Sequence, residues 1–172
     1  MANTIAVFSS SRSNGNTKEL LISIAKQINI DIVDLADYTF SEYDYEYKNQ
    51  EDDFLSLIEK VLTYKKVVFA SPVYWYSVTP AMKKFLDRIS DLLDLPHLLN
   101  TGRRLRGKTA YVLCSSVSKE VSRSFISAFE ETFDYLGMTY GGCIHANCVE
   151  GYQVENHADD ISAFTHCLNK TD

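Results

Sequence analysis

The stretch "TIAVFSSSRSNGNTKEL", Thr4 to Leu20, decides the fold. Its first five residues read as a short buried strand. From Ser9 to Thr17 every residue except Arg12 is Ser, Asn, Gly or Thr, a composition that ends a strand and supplies hydroxyl and amide groups. Asn16-Thr-Lys-Glu19 then has the form of a capping box and predicts a helix beginning at Asn16 or Thr17. A helix N-terminus facing a Ser-rich loop is an anion site, because free backbone N–H groups and the positive end of the helix dipole point into it. A phosphate there would be held by backbone amides and by the hydroxyls of Ser10, Ser11, Ser13 and Thr17.

Outward from this stretch, strand-length apolar runs alternate with amphipathic segments, the pattern of a parallel sheet covered by helices. The strands fall at Thr4 to Ser9, Asp31 to Leu35, Lys66 to Ser71, Thr109 to Ser115 and Tyr140 to Ala146. Leu20, Leu21, Ile24, Ala25 and Ile28 share one helix face, and Phe54, Leu57, Ile58, Val61 and Leu62 another. Thr79-Pro80 announces a third helix, with Thr as N-cap and Pro in the first turn, and Met82, Phe85, Leu86 and Ile89 as its buried stripe. The fourth runs from Glu120 to Leu136 and stops at Gly137, and the fifth from Val154 to Leu168. At 172 residues this is one domain, 1–172. The order of elements fits a flavodoxin-like sheet of order 2-1-3-4-5 or a small Rossmann variant. Both place ligands beyond the carboxyl ends of the strands, at the switch point between the first and third.

Two nucleotide motifs are absent. In the nucleoside-triphosphate loop G-x-x-x-x-G-K-[ST], Ser10 would stand at the first Gly and Asn16 at the Lys that reaches the phosphates. The strand "KKVVFAS" also ends without an Asp for magnesium. The dinucleotide fingerprint G-x-G-x-x-G is missing, since Gly15 is the loop's only glycine. A single terminal phosphate monoester remains. At the third strand's end, Pro72-Val-Tyr-Trp-Tyr76 brings three consecutive aromatics to the switch point, and a flat aromatic ligand suits them.

"SSSRSNGNT" followed by "ASPVYWYSVTPAMKKFLDR" resembles the NAD(P)H-dependent FMN reductases and multimeric flavodoxin-like oxidoreductases. Their wording is close to G-S-P-R-x-x-G-N-T and then T-P-V-Y-W-x-x-x-x-A-x-L-K-x-F-I-D-R. The resemblance implies a flavodoxin-like three-layer α/β sandwich with FMN as cofactor and NADPH or NADH as hydride donor. The acceptor would be a quinone, azo or nitro compound, flavin or iron complex, served by a ping-pong cycle. Ser10, Arg12, Asn16 and Thr17 match the family's phosphate loop, with Ser11 at its Pro. Pro72, Val73, Tyr74 and Trp75 match the isoalloxazine loop, followed by Tyr76 and Ser77 where the family often has smaller residues. Ser115, Ser116 and Val117 match the loop that flanks the ring. Backbone amides around Val73 to Trp75 and Ser116 are expected to bond the ring's polar edge, with the chemistry on FMN and no side-chain catalyst. Family members with an iron–sulfur cluster carry close-set cysteines after the second strand; this chain has none there, so no metal is expected. The resemblance also implies a homodimer or homotetramer.

Composition narrows the partners. The net charge of -6 argues against nucleic acid, which needs clustered Lys and Arg. The densest basic stretch, Arg103 to Lys108, reads as a solvated loop. The start "MANTIAVFSS" lacks a basic n-region and no segment approaches a membrane span, so a cytoplasmic, non-inserted protein is expected. Cys114, Cys143, Cys148 and Cys167 form no CxxC pair and are expected to be free thiols. A phosphatase would need C-x5-R, yet Glu120 stands at that spacing from Cys114. The histidines, including His145, show no catalytic spacing. The segment 37–53 carries four tyrosines and seven acidic residues, and reads either as a solvated connection or as a subunit contact or rim over the site. The rival functions are a flavodoxin-type FMN electron carrier docking a basic partner and an FMN-binding regulatory protein, neither turning over NAD(P)H.

Overall fold

The computed structural model describes residues 2–170. Five strands, β1 (Thr4–Phe8), β2 (Ile30–Asp34), β3 (Lys66–Pro72), β4 (Thr109–Ser116) and β5 (Thr139–Asn147), form one sheet of order β2-β1-β3-β4-β5. Every pairing is parallel. This is the flavodoxin-like order, and it sets the Rossmann variant aside.

The helices are α1 (Asn16–Ala25), α2 (Phe54–Leu62), α3 (Pro80–Arg88), α4 (Asp91–Asp94), α5 (Leu99–Arg103), α6 (Arg123–Tyr135) and α7 (Ala158–Asn169). Because strand side chains alternate, each strand feeds two cores. Ile5, Val7, Val67, Phe69 and Val112 pack under α2, α3 and α6, while Ala6, Phe8, Val68 and Leu113 pack under α1 and α7. The three layers follow from that alternation. The short α4 and α5 break what reads in sequence as one connection.

The α1 helix starts at Asn16 as expected, whereas α6 begins at Arg123 rather than Glu120 and α7 at Ala158 rather than Val154, after a 3-10 turn over Val154–His157; the caps differ at one place. Thr79 caps α3 as expected, its Oγ1 accepting from Met82 N at 3.3 Å with Pro80 in the first turn. At α1, however, Gly15 is the N-cap and no side chain caps the helix, so the Asn16–Glu19 box does not form. The N–H groups of Lys18 and Glu19 both return to Gly15 O instead, and the Asn16 side chain turns toward Cys148.

The basic stretch is not wholly solvated. Lys108 is buried, and its ammonium donates to the carbonyls of Leu62, at 2.8 Å, and Tyr64, where α2 ends. Lys66, also buried, donates to Leu168 O and Lys170 O at the end of α7. Cations at helix C-termini satisfy the last carbonyls and complement the dipole.

The Tyr-rich segment folds down onto α3. Fully buried Arg88 bonds Asp91 Oδ2 at 2.8 Å, Asp52 Oδ2 at 2.6 Å and the carbonyls of Ser41 and Asn49. Tyr47 Oη donates to Asp94 Oδ2 at 2.9 Å, and Lys84 covers the Phe40 ring. At the other side, β5 runs along the sheet edge with a register shift between Ala110 and Tyr111. The Tyr111 ring lies so close over Gly141 that a Cβ there would sit 2.4 Å from it.

Candidate functional site

Three loops meet beyond the carboxyl ends of β1, β3 and β4 and enclose an open cleft of about 400 Å³. The first is the Ser-rich loop. Buried Ser9 Oγ bonds the Thr79 hydroxyl at 2.5 Å, and buried Thr17 Oγ1 bonds Ser115 Oγ at 2.6 Å. These hydroxyl pairs fasten the phosphate-type loop to the other two loops. The α1 N-terminus opens onto the cleft, and the first-turn N–H groups of Asn16 and Thr17 have no acceptor within the helix.

The second loop is a two-residue hairpin. Tyr74 N donates to Ser77 O at 2.8 Å and Ser77 N to Tyr74 O at 3.0 Å. Its central residues, Trp75 and Tyr76, have φ of 49° and 63°. A tight hairpin demands this left-handed backbone and normally fills it with Asn-Gly. Two bulky aromatics here are strained, by about 1–2 kcal/mol per residue, and strain of this kind concentrates at functional sites. The turn holds Trp75 95% and Tyr76 67% exposed at the cleft rim.

This turn corrects one expectation. Val73 N is taken by Ser115 O at 3.0 Å and Tyr74 N by Ser77 O, so those amides are not available to a ring. The N–H groups of Trp75 and Tyr76 lie outside that pair of bonds. Tyr74 instead reaches the first loop. Bonds from the Ser11 hydroxyl and backbone and from the Ser10 hydroxyl, with the Arg12 guanidinium nearby, hold the Tyr74 phenol below its ordinary pKa against the opposing effect of burial.

The third loop follows β4. Ser116 Oγ lies 2.8 Å from His145 Nε2 on β5 and accepts from Ser118 N at 3.1 Å. Burial, with His157 nearby, lowers the pKa of the His145 imidazole.

Of the sequence-predicted residues, Ser10, Arg12, Asn16, Thr17, Pro72, Val73, Tyr74, Trp75, Tyr76, Ser115, Ser116 and Val117 line the cleft. Ser11, Ser13 and Ser77 do not: Ser11 bonds Tyr74, Ser13 faces a groove beside Lys18 and Tyr152, and Ser77 lines a groove between α3 and α6. Glu120, Val121, Ser122 and Cys148 line the cleft without having been anticipated. The first three continue the loop whose start was recognised. Cys148 enters because β5 ends beside β4, with Cys148 N donating to Ser116 O at 2.7 Å. No residue of segment 37–53 lines the cleft, so the rim reading of that segment does not hold. Among the described residues no cluster of His, Cys, Asp and Glu could hold a metal, and no helix is long and apolar enough to cross a membrane.

Residues 3–150 match the NADPH-dependent FMN reductase family. The chain belongs to that family. It is therefore an NAD(P)H-dependent flavin oxidoreductase whose cofactor is FMN. This reductase is 25% identical over 169 residues to YwqN of Bacillus subtilis (strain 168), an oxidoreductase whose name assigns it NAD(P)H and FMN, covering 94% of this chain and 93% of that one. Its fold superposes on the Trp repressor binding protein of Bacillus subtilis with a TM-score of 0.74 at 25% identity, covering 98% and 99% of the two chains. An NADPH-quinone reductase from P. pentosaceus shares the fold with a TM-score of 0.67, at 13% identity and full coverage of both chains.

The donor set fits FMN. A hydroxyl- and guanidinium-bearing loop at a helix N-terminus suits a phosphate monoester, and an aromatic turn across the cleft suits a flat ring. About 400 Å³ lies within the usual range for a small-molecule site.

Proposed function

We propose that this reductase passes electrons from NAD(P)H to a quinone-type acceptor by a ping-pong cycle in the cleft between the Ser-rich loop and the Trp75–Tyr76 turn. One observation carries the reading: an uncapped helix N-terminus and an exposed aromatic turn share one cleft, linked through Tyr74. Ser10, Arg12 and the N–H groups of Asn16 and Thr17 would hold the phosphate. The N–H groups of Trp75 and Tyr76 would bond the ring's polar edge. Bound FMN supplies the hydride-accepting and electron-releasing chemistry, and the protein supplies position and polarity. Trp75 offers a flat face against which nicotinamide and acceptor stack in turn, and Tyr76 narrows that space. The P. pentosaceus relative's name supports the acceptor class, although that likeness itself extends only to the fold.

The cleft rim also supports a homodimer or homotetramer, since Trp75, Val117 and Tyr135 stand 95%, 72% and 82% exposed around it and the adjoining α3–α6 groove. Free thiols at all four cysteines support a cytoplasmic setting. The test is spectroscopic. FMN-loaded protein, freed of unbound flavin and given NADPH without oxygen, bleaches rapidly and regains its colour when benzoquinone is added. Flavin that stays yellow with NADPH would replace this reading with an electron carrier. A monomer by light scattering would remove the oligomer.

A further inference from the structure

The Ser116–His145 contact is positioned for more than holding β4 against β5. Ser116 Oγ accepts from Ser118 N at 3.1 Å and sits 2.8 Å from His145 Nε2. A hydroxyl has two lone pairs and one proton. When Nε2 carries its hydrogen, both lone pairs are filled and the Ser116 proton is left to point elsewhere, and Ser116 lines the cleft. His145 in turn lines a second opening of about 370 Å³, between the β5 edge and α7. Ser116 thus borders the cleft and His145 the second opening.

We propose that Ser116 and His145 form a proton relay that delivers a solvent proton to a quinone bound in the cleft. The proposal rests on the reductase reading above. Reduction of a quinone by NAD(P)H transfers a hydride and consumes one further proton, giving hydroquinone and NAD(P)⁺. A solvent proton reaches His145 Nδ1 as Nε2 passes its own to Ser116 and the Ser116 hydroxyl gives its proton to the reduced oxygen, which leaves the ring as neutral Nδ1–H. Loss of the Nδ1 proton to water and reprotonation of Nε2 restore the starting tautomer before the next turnover. Ser116 touches the acceptor, and His145 acts through it. Burial, aided by His157, lowers the imidazole's pKa and so favours the neutral ring. The other titratable groups at the second opening are Asp160 and Cys167 of α7 and Cys143 of β5.

Two measurements decide it. The first is the imidazole tautomer, read by long-range ¹H–¹⁵N NMR on the full chain with and without FMN. The relay requires neutral Nε2–H. An Nδ1–H tautomer would make Ser116 the donor to His145 and overturn the proposal without reference to activity. The second compares benzoquinone, which takes a proton, with ferricyanide, which takes only an electron. In His145→Gln the amide keeps an N–H aimed at Ser116 but cannot relay a proton. The benzoquinone-to-ferricyanide rate ratio then falls at least about tenfold. His145→Ala shows the same fall, reversed by added imidazole. An unchanged ratio in a variant that still bleaches with NADPH would leave His145 a purely structural residue. Wild-type protein that fails to bleach would instead strike the reductase reading, and the relay with it.

Discussion

The Ser9–Thr17 loop and the Tyr-rich segment 38–53 are both long polar connections leaving the carboxyl ends of neighbouring strands, yet their hydrogen bonds run in opposite directions. In the Tyr-rich segment, polar groups converge on one buried cation. Arg88 collects two carboxylates and two carbonyls, and only Gln50 Oε1 and Asp91 Oδ1 stay buried without a partner among the described residues. In the Ser9–Thr17 loop, only Ser9 and Thr17 are committed to buried side-chain bonds, while Ser10, Arg12 and the α1 N-terminus line the open cleft, Ser10 beside the Tyr74 phenol. A loop that satisfies itself is structure. One that leaves its donors aimed outward, on a rigid frame, awaits a ligand.

That contrast breaks if the wrong residue governs stability. Arg88→Met should have the largest effect, a loss of about 3–5 kcal/mol by urea unfolding, because it strands Asp52 and Asp91 in the interior. A loss under about 1 kcal/mol would mean that the segment does not depend on its cation. Asn16→Glu places a carboxylate at the phosphate position. It should weaken FMN binding by about a hundredfold, equivalent to about 2.7 kcal/mol, with an unchanged circular dichroism spectrum. Retained FMN affinity would remove the phosphate role from the loop.

The smaller tests sharpen the comparison. Tyr76→Gly relieves a left-handed backbone and should stabilise the protein by about 1 kcal/mol, raising Tm by about 2–4 °C. Turnover should rise as the rim is cleared, and a lower Tm would show that the turn is not strained. For Asp52, burial pushes the carboxyl pKa up, but donation from Arg88 and from the Phe54 and Ser41 amides outweighs it and leaves the pKa lowered. A lowered folded-state pKa adds stability that is present above the unfolded value of about 3.9 and is lost as pH falls through the folded one. Asp52→Asn should therefore flatten the acid limb of the stability profile below about pH 4, and a limb of unchanged steepness would assign the acid sensitivity elsewhere.

The strands and the cleft were legible in the sequence for the same reason. Buried parallel strands read as continuous apolar runs, and a parallel sheet sends its ligand loops to one end. Ser10, Asn16 and Trp75 were therefore found from their places after strands. What escaped depends on side-chain direction. Nothing in the order of residues says that Ser13 faces away from the cleft while Cys148 enters it, or that Arg88 lies buried under a segment 36 residues upstream at Asp52. His145 shows no catalytic spacing, since its partner Ser116 lies 29 residues earlier and is brought near only by strand pairing. The capping box failed because Gly15 supplied the helix with a backbone cap first.

The irregular pairing at Ala110 and Tyr111 bears on how copies of the protein meet. β5 borders the sheet, and a flat border strand is a template on which a second molecule can extend the ladder. Here the extra residue, with Gly142 at φ 127°, disturbs the spacing of the outward amides and carbonyls near the strand's start. A neighbouring strand laid along this margin would lose register within a few residues. Fibrous growth is thereby disfavoured, and self-association is steered toward faces where side chains, rather than main chains, make the contact.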